Sequence, residues 1–67
     1  MMKIRASARH VSKKVEHGLI LHVQGVGTIS HTEHEDGLVR LYLGKSTHSM
    51  IQLREEDPIQ VWYDPVR

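Results

Sequence analysis

The sequence predicts a small antiparallel all-β domain, a sandwich or a barrel, on three observations. Apolar residues recur at every second position along most of the chain. Clusters of Gly, Asp and Pro interrupt these alternating runs at short intervals. No segment shows a clear apolar stripe at helical spacing.

Each element follows from its pattern. Ile4, Ala6 and Ala8 alternate with Lys3, Arg5, Ser7 and Arg9, which predicts an N-terminal strand. His10 to Glu16 is polar and basic and reads as a turn or loop. Leu19, Leu21 and Val23 alternate with Ile20 and His22 as a second strand. Gly25 and Gly27 bracket Val26, and Gly within a strand pattern marks a bend or bulge. Thr28 to His31 resumes as a short strand, and His31 to Gly37 reads as a polar loop ending in the hairpin dipeptide Asp36-Gly37. Val39, Leu41 and Leu43 then share one face, with Leu38, Arg40 and Tyr42 on the other. Gly44 to Thr47 is a turn. Ile51 and Leu53 alternate with Met50, Gln52 and Arg54. Glu55-Glu56-Asp57-Pro58 breaks the pattern, and Ile59, Val61 and Tyr63 alternate with Gln60 and Trp62 in the final strand.

With 67 residues the chain forms one domain, residues 1–67, with no linker or internal repeat. A core this small is marginal on its own. No Cys is present, so disulfides are excluded as reinforcement, and oligomerisation is the expected route to stability. Phe is absent, and one Trp and two Tyr leave Val, Ile, Leu and Met to build the core. The net charge of +1 excludes a monomer that holds nucleic acid by bulk charge alone. The longest apolar run, Gly18 to Leu21, is far too short for a membrane span, and no apolar stretch suited to a secretory leader follows Lys3, Arg5 and Arg9. A cytoplasmic protein without membrane contact is expected.

A more specific signal runs from Val15 onward and is strongest from Val39, where the order continues without a gap. Val15-Glu16-His17-Gly18, Gly27-Thr28, His31-Thr32-Glu33, Asp36-Gly37 and Val39 are followed by His48-Ser49, Ile51, Arg54, Glu56, Ile59-Gln60 and Tyr63. This order resembles the tryptophan RNA-binding attenuation protein (TRAP) family, from about Val15 to Tyr63. The family has Val-Glu-Asp-Gly at the first of these turns and His-Ser-Glu at the third.

The resemblance implies a TRAP-like homo-oligomeric ring, whose all-β subunits join edge to edge and leave no free sheet edge. It implies a regulator of transcription attenuation or translation with single-stranded RNA wrapped around the ring. Of the family's basic contacts, the Arg falls on Arg54, one Lys falls on Gln52 and the other on His34. The family's tryptophan site implies L-tryptophan as an effector, held by Gly27, Thr28, Thr47, His48 and Ser49, although the upstream loop is shortened here. A different class of function follows from the two Lys positions that differ: a ring-forming scaffold or protein-binding module that does not bind RNA.

Other constellations are weaker. His31 and His34 have HxxH spacing without the helix that makes such a pair a metal site, so no metal site is expected. Gly44-Lys45-Ser46 lacks the first glycine of a phosphate-binding loop, since Val39 stands there. No nucleophile–base set or carboxylate pair stands out, and neither enzymatic activity nor a cofactor is expected. Trp62 falls out of phase with the core positions Val61 and Tyr63, which suits a subunit interface or a stacking surface.

Overall fold

The computed structural model describes residues 2–44 and 49–63. Six strands and one helix follow in the order β1 (Met2–Ser7), α1 (Ala8–Glu16), β2 (Leu21–Val23), β3 (Gly27–Glu35), β4 (Leu38–Leu43), β5 (Met50–Arg54) and β6 (Pro58–Tyr63). Every neighbouring pair is antiparallel, in the order β1-β6-β2-β3-β4-β5. The domain is all-β in class, as the alternation predicts.

The helix corrects the reading of His10 to Glu16 as a loop. Ala8, Val11, Ser12 and Val15 recur at the i, i+3, i+4, i+7 spacing of one helical face. That stripe escapes notice because one member is a serine and another an alanine. Local chemistry fixes both ends. The Ser7 hydroxyl accepts from the His10 N–H at 3.2 Å. The N–H groups of Ala8 and Arg9 donate to the carbonyls of Asp57 and Glu55, at 2.8 and 3.0 Å. Otherwise unpaired N–H groups of the first turn are thereby satisfied. The helix ends as a Schellman motif: Gly18 at φ +92° donates to Val15 O, and Leu19 donates to Lys14 O.

Two strand boundaries also differ from expectation. The second strand starts at Leu21, not Leu19, because the Leu19 N–H is committed to the helix cap. The expected polar loop from His31 is strand as far as Glu35, since Thr32 to Glu35 pair residue for residue with Leu41 to Leu38. Pairing with β4 satisfies the backbone whatever the side chains. Only Asp36 and Gly37, at φ +53° and +77°, form the hairpin loop, a pair of positive φ angles typical of a type I′ turn.

The long β3 belongs to both ends of the sheet. Its start pairs with β2 and the remainder with β4. The register shifts between Ile29 and His31, leaving Ser30 as a bulge whose hydroxyl donates to Tyr42 O at 3.0 Å. The bend lets both halves of the sheet contribute to one core, made of Ala8 and Val11 from the helix, Leu21 and Val61 from one half, and Ile29, Val39, Leu41 and Leu43 from the other. Ser12 is the one buried polar residue among those described, and its hydroxyl is hydrogen-bonded to that of Thr32 at 2.7 Å. The outer edges are β1, paired only with β6, and β5, paired only with β4.

Candidate nucleic-acid interface

Strand register divides the outward-facing side chains into two surfaces of different chemistry. On the β3–β4–β5 half, cross-strand partners form three rows: His31, Tyr42 and Met50; Glu33, Arg40 and Gln52; and Glu35, Leu38 and Arg54. The His31 and Tyr42 rings stack with centroids 4.3 Å apart. Tyr42 donates from its hydroxyl to Glu33 at 2.8 Å, and Arg40 donates from Nε to Gln52 Oε1 at 3.1 Å. The bond to Glu33, aided by partial desolvation and by that carboxylate's negative charge, raises the Tyr42 pKa above its ordinary 10.0, against the opposing charge of Arg40.

This surface holds two of the three residues expected to touch RNA. Gln52 and Arg54 share the outer face, as their alternation with Ile51 and Leu53 requires. The Gln52 carbonyl is engaged by Arg40, and Arg54, though 82% exposed, lies 3.7 Å from Asp57. His34 is not brought to them. It is the register partner of the buried Val39, so it belongs to the opposite face, where Nε2 meets Glu55 Oε2 at 2.8 Å. His31 and His34 thus lie on opposite faces of β3. Glu33 and Glu35 make the outer surface a mixed-charge one, which repels phosphate as well as attracting it.

The β1–β6–β2 half has a different character. Lys3 pairs with Trp62, Trp62 with His22, and His22 with Thr28, so one row crosses four strands. Arg5 and Gln60 form the adjacent pair. Among the described residues, these outward strand positions carry no carboxylate. The Lys3 ammonium sits 5.7 Å from the centre of the Trp62 ring, within cation–π range. His22 is fixed through Nδ1, 2.9 Å from the Thr28 hydroxyl.

Beside this row lies an open cleft of about 450 Å³, lined by Trp62, His22 and the β2–β3 turn from Val23 to Gly27. The turn is closed by a 3.0 Å bond from Val26 N–H to Val23 O, and it needs glycine at position 25, where φ is +78°. Val26 stands 55% exposed at its tip. The Trp62 indole N–H is buried without a hydrogen-bond partner among the described residues. A buried donor left unsatisfied costs about 1–3 kcal/mol.

The residues expected to hold a small ligand fall partly on this cleft. Gly27 lines it, and Thr28 anchors its histidine. Thr28 O also accepts from Gly44 N at 2.7 Å, and Ser49 O accepts from Leu43 N at 2.9 Å, so Ser49 belongs to the same end of the sheet. Thr47 and His48 lie outside the described residues. Lys3, Arg5, His22 and Gln24 are the members of this surface that sequence reasoning did not assemble. Alternation alone put Lys3 and Arg5 outward; the missing information was that the first strand pairs with the last.

No protein-family model, curated protein or solved structure matches this chain.

Proposed function

We propose that this protein binds single-stranded RNA on the outer face of β1, β6 and β2, as an oligomeric regulator of the TRAP-like kind. The observation that carries this reading is the row from Lys3 through Trp62 to His22, with Arg5 beside it and no carboxylate among its described strand neighbours. A cation next to an aromatic face is what single-stranded nucleic acid requires: charge follows the phosphates, and rings stack on bases without demanding one sequence. The mixed-charge β3–β4–β5 face supports a lesser role for Arg54 and Gln52, with L-tryptophan as a proposed effector near Gly27, Thr28 and Ser49.

The test is RNA binding by fluorescence anisotropy across a salt series. Each phosphate contact contributes about 0.7 to the log–log salt slope on a single strand. Lys3→Ala and Arg5→Ala are each expected to weaken binding and flatten the slope by about that amount. Arg54→Ala is expected to change it less. Absence of binding at low salt refutes the reading, and a slope sensitive to Arg54 but not to Lys3 or Arg5 moves the contact to the other face.

The two open edges favour a second reading, in which β1 of one copy pairs with β5 of the next to form a ring scaffold. The mass of the native assembly, with and without L-tryptophan, tests it. A monomer under both conditions refutes the ring.

A further inference from the structure

The cleft beside Trp62 has features that a general stacking surface does not need. The chain's sole tryptophan supplies its aromatic wall, the Lys3 ammonium lies 5.7 Å from the centre of that ring, and the Thr28 hydroxyl fixes the histidine beside it. The His22 ring is held by Thr28 through Nδ1, so Nε2 is the nitrogen left for a ligand. Gln24, on the turn, adds an amide able to donate and to accept.

We propose that this cleft is a subsite for one unstacked nucleobase of a bound RNA strand. The inference rests on the RNA-binding reading above. In the free protein the Lys3 chain lies by the Trp62 ring and the indole N–H is closed to water. On binding, the base enters beside Trp62 and under the β2–β3 turn. The base lies against the Trp62 ring, and Lys3 swings to the phosphate of the same nucleotide, with Arg5 following the strand. His22 Nε2 and the Gln24 amide then face the edge of the base, the arrangement that turns non-specific stacking into a preference for one base over another. A base of a strand is the occupant favoured here because its nucleotide combines a flat face for the ring, polar edge groups for His22 and Gln24, and a phosphate for Lys3 and Arg5, on a face with no carboxylate at its described strand positions.

Because Trp62 is the one tryptophan, its emission reports directly on the cleft. The experiment titrates the full chain with each of the four ribonucleoside monophosphates and with a short RNA oligomer, following Trp62 emission. Calorimetry then compares the wild type with Trp62→Leu, which keeps apolar bulk and removes the aromatic face. The expected result is quenching by at least one monophosphate, and about a tenfold weaker affinity for it in Trp62→Leu, equivalent to about 1.4 kcal/mol. Val26→Gly, which alters the turn at an exposed position, serves as a second variant and is expected to change base preference while leaving the salt slope intact.

If the oligomer binds but Trp62 emission does not respond and Trp62→Leu matches wild type, the subsite is refuted and the RNA reading stands. If a monophosphate quenches emission but the oligomer shows no salt-dependent binding, the RNA reading is refuted and the cleft is a site for free nucleotide. If neither ligand binds, both are refuted.

Discussion

Val11 offers a direct test of the helix, the element least expected from the sequence. It is fully buried against the sheet and is one of only two helix residues in the apolar core. Replacing it by Ala removes two carbons from that core, about 1.6 kcal/mol at roughly 0.8 kcal/mol per buried carbon. The cavity left behind adds to this, because the bent sheet and the capped helix relax only partly, and the total comes to about 2–3 kcal/mol. A 67-residue domain has a total stability of about 3–10 kcal/mol, so the variant loses a large fraction of it. Urea denaturation at fixed protein concentration measures the loss, with Lys13→Ala, exposed on the same helix, expected to stay within about 0.5 kcal/mol of wild type. A loss below about 0.5 kcal/mol for Val11→Ala, with an unchanged denaturant slope, would show that the helix does not pack on the sheet as described.

Further outcomes follow from local geometry. Gly18→Ala is expected to cost about 1–2 kcal/mol, because residue 18 holds φ +92° while an added Cβ meets nothing within 4 Å; a neutral result in the same assay would contradict the helix cap. Ser7→Ala removes the hydroxyl that accepts from His10 N–H and is expected to cost about 1 kcal/mol. Tyr42 has a raised pKa, so the neutral phenol is the form favoured in the folded state, and its contribution is in place below pH 10.0 and fades as pH rises through the higher folded-state value. In a Tyr63→Phe background, Glu33→Ala is expected to lower the tyrosinate midpoint followed by ultraviolet absorbance; a midpoint that does not move would show that the 2.8 Å bond is absent in solution.

Much of the fold was legible because alternation reports burial directly. Val39, Leu41 and Leu43 point inward and Arg40 and Tyr42 outward for the reason their order suggests. Asp36-Gly37 announced its turn because few residue pairs accept two positive φ angles. The helix was hidden because a short buried stripe containing Ala8 and Ser12 has little hydrophobic contrast, and its capping partners lie on a turn more than forty residues away, at Glu55 and Asp57. The row on the outer face of β1, β6 and β2 was hidden for a related reason. That Lys3, His22 and Trp62 face outward is a local property, but that they lie in one row depends on pairing between distant strands. The placement of His34 illustrates the limit of matching by order: it stands where a contact was expected, on the face opposite Arg54.

The pairing of β1 with β6 also governs how the protein comes into being. Met2 meets Tyr63 and Ser7 meets Pro58, so β1 finds its partner only once β6 is present. Closing a loop of some fifty residues costs on the order of 3–4 kcal/mol of chain entropy before the pair forms. Until then the helix lacks the Glu55 and Asp57 carbonyls that receive its first N–H groups. Without the residues from Pro58 onward, β1 lacks its partner and the core lacks Val61. Contacts between strands this far apart in sequence are of the kind that slows folding.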